Sequence, residues 1–416
     1  MGLKMEDTNE LEFQINPVRL NYLLDLYKLP KDDFLKQLQG DNKNPVLTAD
    51  ELIEILKNEK KVDISILKKI DKIFEKGITW YISNRDLPER KKLSIFFRKD
   101  SFNAKLNLGS IKLIDEYERK KIEIETLCGY IDYKIVKKHK YTINNNAKEI
   151  ASDIRNEFDK ITEKLKKTKT WKTSSNDREY LENLIRIIEE FNVFVFEFVD
   201  KKRREDSVAS FSGFFIHPNM IVIKRQQESI KREIFTLMHE LAHYLIGEEE
   251  IDTKVDEASV NKLSAIEQWC NDFAYYFLIQ DEDNSLKKLP EASINNKFHR
   301  GILEEISHKT HLSTLALYTR LRINKQISIT DYNKIYESVM ETIHSEKEKR
   351  KSEIALLKER NDEAGKETFI AQAKPIESKL FKEIIKINYF EGNINQIKAM
   401  ETLGIKNKSF EEVIYS

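Results

Sequence analysis

FTLMHELAHYLIG, residues 235–247, holds two of the chain's eight histidines four residues apart, with a glutamate directly after the first. Residues four apart lie on one face of an α-helix, one turn above the other. His239 and His243 can therefore aim their imidazoles at one point, which is the geometry two metal ligands need. Glu240 falls beside that point, where it can take a proton from a metal-bound water without using a coordination position. Chance gives an HExxH pattern in a chain of this length and histidine content on the order of one time in a hundred. An ordinary amphipathic helix with incidental histidines would bring no further ligand to the right place.

A catalytic zinc takes three protein ligands and a water. Glu267 lies 24 residues after His243, on a second helical stretch whose Ile266, Trp269, Cys270, Phe273, Ala274 and Phe277 share one apolar face. The intervening GEEEIDTKVDEASVNKL leaves room for a loop and an antiparallel return. Asn271, four residues after Glu267 on the same face, can orient a histidine through its free ring nitrogen. Glu248, Glu249, Glu250, Asp252, Asp256 and Glu257 compete as ligands, although their hydrophilic run reads better as surface. His308 and His311 resemble a second metal pair; surface or structural roles are the expectation there.

At 416 residues the chain has room for two or three domains. Apolar residues at 40% and charged residues at 34% match a soluble, helix-rich protein. No apolar run approaches the ~20 residues that span a bilayer, so no membrane partner is expected. MGLKMEDTNELEFQ at the amino terminus lacks the apolar centre of a secretion signal. Cys128 and Cys270 are isolated from each other and read as buried thiols of a reducing compartment, so a cytoplasmic location is expected. Lysine plus arginine equals aspartate plus glutamate at 71 each, a balance that disfavours a dedicated nucleic-acid binder.

Outward from the histidine helix, the first hundred residues read as short helices. VRLNYLLDLY (18–27) is followed by a helix after Pro30, and Thr48 with Glu51 forms a capping-box pattern. Ile64, Ile66, Leu67, Ile70, Ile73 and Phe74 make an apolar stripe, with Gly77 expected to end that helix. The chain is charged and mixed to about residue 170, and KITEKLKKTKTWKTSSNDRE reads as a flexible boundary. REYLENLIRIIEEF is then a helix, NVFVFEFVD a strand, and KKRRED (201–206) a solvated loop. SGFFIHPNMIVIKR suggests a hairpin around Pro218 and Asn219. Beyond the site, helices run to Ile323, SEKEKRKSEIALLKERNDEAG is a solvated helix face, and the tail is helical with a turn at Gly404.

The histidine helix from Arg232, the hairpin at Gly213 before it and EQWCNDFA after it closely resemble the ImmA/IrrE family of zinc metallo-endopeptidases. The resemblance implies that His239, His243 and Glu267 hold the metal and that Glu240 is the general base. Asn271, Phe273 and Ala274 match the family's downstream helix, and Ser313 to Leu321 match a later [ST]-x-x-x-x-x-R-L pattern. FLIQDED departs from the leucine-methionine-proline that often ends the family's helix. INPVRL, FFRKDSF near residue 96 and the YFEGNINQIKAMETLGIK tail resemble long family members that begin with a phage-repressor-type helix-turn-helix. Residues 40–63 do not fit a compact turn and recognition helix, so the amino-terminal likeness is degenerate.

The expected protein is α+β and mostly helical. Its zincin-like metallopeptidase core is a small antiparallel sheet plus the HExxH helix, flanked by helical amino- and carboxyl-terminal regions. Expected boundaries are 1–105, a degenerate helix-turn-helix-like region; 106–325, the peptidase domain with its core at about 180–325; and 326–416, a helical region. The expected cofactor is Zn2+, with Mn2+ or another divalent metal open because histidine and glutamate suit several. The resemblance implies cleavage of a specific protein, a repressor-type partner encoded nearby. The alternatives are a DNA- or protein-binding regulator with a vestigial metal site, or a component of a toxin–antitoxin or phage-defence pair. His217 and Tyr276 are candidates for contacting the oxyanion.

Overall fold

The computed structural model describes residues 12–27, 29–40, 45–85, 87, 108–135, 140–168, 171, 173–199, 211–225, 229–248, 264–363, 375–376 and 378–415. FFRKDSF, KKRRED and the acidic residues from Glu249 to Glu257 lie outside them. The described residues divide into two compact units, one of residues 12–87 with 108–114, the other of residues 115–415.

The first unit contains β1 (Glu12–Phe13), α1 (Pro17–Leu26), α2 (Lys31–Gln39), α3 (Ala49–Leu56), β2 (Val62–Asp63), α4 (Ile64–Phe74) and α5 (Ile78–Ile82). β1 and β2 pair antiparallel. Asn16 caps α1 with Pro17 at its first position, and Thr48 with Glu51 closes the capping box of α3. Leu20, Leu23, Phe34, Leu52, Ile55, Leu67, Ile70 and Phe74 form the buried centre. The end of α4 corrects the expectation for Gly77. The helix stops at Glu75, which takes the left-handed conformation (φ 55°), and Gly77 instead precedes α5. The Asp71 carboxylate, accepting from the Lys76 and Gly77 amides, holds this turn where glycine would otherwise serve.

Helix α6 (Leu108–Tyr130) contains the point where the two units divide. It is followed by α7 (Ala147–Lys166), so the charged stretch before residue 170 is largely two long helices, and α7 takes up the start of the expected flexible boundary. Their apolar stripes are diluted by charged residues on the solvent side; in α7 only Ile150, Ala151, Ile154, Phe158 and Leu165 are buried. α8 (Asp177–Glu189) leads into β3 (Phe194–Phe198), and β4 (Gly213–Ile216) and β5 (Met220–Lys224) form the expected hairpin.

The strand order is β3-β5-β4, with β4 antiparallel and β3 parallel to β5, so the three-stranded sheet is mixed. Each strand is buried along most of its length, because the sheet is covered on both faces. Val195, Phe215, Ile221 and Ile223 join the main core, while Phe196 meets Tyr117 of α6 and Phe381. α9 (Ile230–Ile246) packs on β4 and β5, and α10 (Ala265–Ile279) packs on α9 and α7. Phe158, Phe273, Phe277, Leu237 and Leu241 fill the space between them.

The rest is helical: α11 (Glu282–Lys287), α12 (Arg300–Thr310), α13 (Thr314–Ile323), α14 (Ile329–Glu363), α15 (Lys379–Phe390), α16 (Gln396–Leu403) and α17 (Phe410–Tyr415). The charge-dense half of α14 is solvated, and Gly404 (φ 64°) ends α16. No helix among the described residues is long and apolar enough to cross a membrane.

Candidate metal centre

Thirteen of the 17 residues of α9 are buried, so its polar side chains lie in the interior and need partners there. Ser229 caps its start. Gly247 (φ 74°) ends it in the left-handed conformation, with its amide donating to the His243 carbonyl at 2.8 Å. That reversal returns the chain towards the helix, and the Glu248 carbonyl accepts a hydrogen bond from His243 Nδ1 at 3.0 Å. A carbonyl can only accept, so His243 carries its proton on Nδ1 and leaves the Nε2 lone pair facing inward. His239 Nδ1 meets Asn271 Oδ1 at 3.0 Å in the same manner.

The two Nε2 atoms are 3.2 Å apart. Glu267 completes the group, with Oε2 3.1 Å from His239 Nε2 and Oε1 3.3 Å from His243 Nε2. Glu267 is the third residue of α10, whose start is capped by Ser264, so the positive end of the helix dipole favours its carboxylate. Burial raises the Glu267 carboxyl, but His239 and His243, when they carry charge, outweigh burial and hold it below the usual range. Burial, reinforced by His239, pushes the His243 imidazole down.

Two imidazole lone pairs and a carboxylate thus converge in a buried space. Both Glu267 oxygens are buried, and no hydrogen bond reaches them among the described residues. Such a cluster of donors repels itself unless a cation sits between them. The separations suit one: bonds of about 2.0–2.1 Å in tetrahedral geometry put ligand atoms roughly 3.3–3.4 Å apart. These three residues are the one group of potential metal ligands found among the described residues.

The other expected residues stand elsewhere. His311 accepts no such role: its Nδ1 lies 2.6 Å from Asp177 Oδ1 and its ring stacks on Tyr180 at 3.7 Å. His217 sits in the β4–β5 turn, edge-on to Phe215. Tyr276 lies nine residues beyond Glu267, about 13 Å along the helix, and its hydroxyl accepts from Arg320. Arg320 also binds Asp272 at 2.6 Å, so the arginine of the later pattern fixes α13 to the helix that supplies Glu267 and Asn271.

A buried charge cluster at the foot of α9 escapes the sequence reading. Arg178 of α8 binds Glu197 of β3 through two bonds of 2.7 and 2.8 Å and reaches Glu233 of α9 at 3.3 Å. Arg225 binds Glu233 from the other side at 3.2 Å. The signal was present as single charges inside apolar runs, FVFEF and REIF, but period alone turns such residues towards solvent.

Residues 188–322 match the model of the Peptidase M78 family, described as an IrrE N-terminal-like domain. Among curated proteins and solved structures, none matches the chain. The match supports a metallopeptidase, and all four residues of the expected centre fall within the matched stretch.

Proposed function

We propose that the protein is a zinc-dependent endopeptidase that hydrolyses a peptide bond in a specific protein partner. The observation that supports this most is the convergence of His239 Nε2, His243 Nε2 and Glu267 within 3.1–3.3 Å of one another, with Glu240 next in sequence to the first. A divalent metal held by these three residues, zinc or manganese, would supply a Lewis acid for the scissile carbonyl, and zinc would lower the pKa of its water to about 7. Glu240 takes the proton of the attacking water and passes it to the leaving amine. Asn271 and the Glu248 carbonyl hold the two imidazoles in the tautomer that turns Nε2 inward. β4, the edge strand of the described sheet beside α9, offers its backbone to an extended peptide.

Selection of the substrate falls to the flanking helices, because a backbone-reading site accepts any extended peptide that reaches it. A repressor-type protein encoded nearby is the partner we favour. Reading of DNA by the first unit is disfavoured by α3, which presents Asp50 and Glu54 on its exposed side. The full chain should be incubated with the products of its neighbouring genes, beside Glu240→Gln. Retained metal with cleavage abolished in the variant is the expected result. Full cleavage by Glu240→Gln would refute general-base catalysis by this residue.

A further inference from the structure

Gly213, the first residue of β4, has no conformational need to be glycine, since its φ lies outside the left-handed region. Space explains it instead. A Cβ built there would lie 2.7 Å from Thr236 Cγ2, 3.0 Å from the Val222 carbonyl oxygen and 3.2 Å from Glu240 Cγ. Thr236 and Glu240 are one turn apart on α9 and so share the face that meets the strand. Glycine inside a strand commonly marks such a close approach of backbone to a neighbour.

We infer that Gly213 is a positioning residue for Glu240: the bare backbone of β4 is the wall that sets where the Glu240 side chain stands beside the metal ligands. This rests on the reading of Glu240 as the general base. Thr236 is buried with 0% exposure and Glu240 is 3% exposed, so neither side chain can swing into solvent to admit a methyl group. In a close-packed interior the added atom must displace the helix side chains or the strand, and each of these moves the wall relative to Glu240. The three atoms nearest to that Cβ belong to Thr236, Val222 and Glu240 rather than to His239, His243 or Glu267, so metal binding should survive the change.

Zinc and acetohydroxamate are the probes, used on the full chain. A hydroxamate chelates zinc and donates its hydroxyl to the general-base carboxylate, so its affinity reports where that carboxylate stands without a known substrate. Gly213→Ala should keep one zinc per chain and bind acetohydroxamate about tenfold more weakly, the loss expected for one hydrogen bond to a charged group. Thr236→Ser in the same chain removes the closest clash and should restore melting temperature but not acetohydroxamate affinity. Unchanged affinity in Gly213→Ala overturns the inference. So does full restoration by Thr236→Ser, or loss of folding in both variants, since the glycine then serves packing alone. Wild-type protein that binds no zinc contradicts the metallopeptidase reading itself, before any variant is compared.

Discussion

Replacing Arg178 with alanine should destabilise the second unit, because it strands the buried acids that its guanidinium holds. The guanidinium makes two bonds to Glu197, whose side chain is fully buried, and a third to Glu233, whose side chain is 1% exposed. Breaking a buried pair by removing one partner costs about 3–5 kcal/mol, because the remaining charge is stranded. Arg225 stays, 3.2 Å from Glu233 but 3.9 Å from Glu197, and so compensates one acid better than the other. Ile376 continues to donate its amide to Glu197 at 2.8 Å. These two partners place the expected loss near the lower end, about 3 kcal/mol. For a unit of this size that corresponds to a fall of roughly 6–10 °C in the midpoint of its transition. Differential scanning calorimetry of the full chain reads it directly. Arg178→Ala with Glu197→Gln should lose less than the sum of the single variants, since neutralising the acid removes the stranded charge. A midpoint within about 2 °C of wild type, or additive losses, would show that the cluster does not hold α9 to the sheet.

The Glu189 carboxyl is pushed up from 4.5 to about 7 by burial, against the hydrogen bonds from Ser378 and the amides of Lys379 and Leu380. The folded chain therefore keeps a proton that the unfolded chain releases near its ordinary pKa. Stability should fall by about 3 kcal/mol as pH rises from 4.5 to 7 and stay lower above it. Urea midpoints should show that slope in wild type and not in Glu189→Gln; equal slopes would remove Glu189 as the cause. In a salt series, the isolated amino-terminal region should show no sequence-specific DNA binding, and nanomolar specific affinity at physiological salt would favour a regulator instead.

The convergence of His239, His243 and Glu267 was legible because its pattern is local. HELAH fixes the two imidazoles through helical period alone, and Glu267 stands out as an acid on an otherwise apolar face. Asn271 followed from the same helix, one turn on. The hairpin was legible from its two apolar runs around Pro218. What joins distant segments was not. The parallel pairing of β3 with β5 depends on both faces of the sheet being covered, which sequence alternation cannot report. Arg178 and Ile376 meet at Glu197 from positions 198 residues apart in sequence, both outside the matched domain. The turn after α4 was misread because Asp71 supplies through its side chain what glycine usually supplies through backbone freedom.

Zinc K-edge X-ray absorption on the full-length, zinc-loaded protein tests the central claim most directly. One zinc per chain, with two imidazole nitrogens and carboxylate oxygen at about 2.0–2.2 Å in a four-coordinate shell, is the predicted result. The imidazole scattering should disappear together with the bound zinc in His239→Ala and His243→Ala. A shell of sulfur at about 2.3 Å, or stoichiometric zinc retained by both histidine variants, would contradict the assignment of His239, His243 and Glu267 as its ligands.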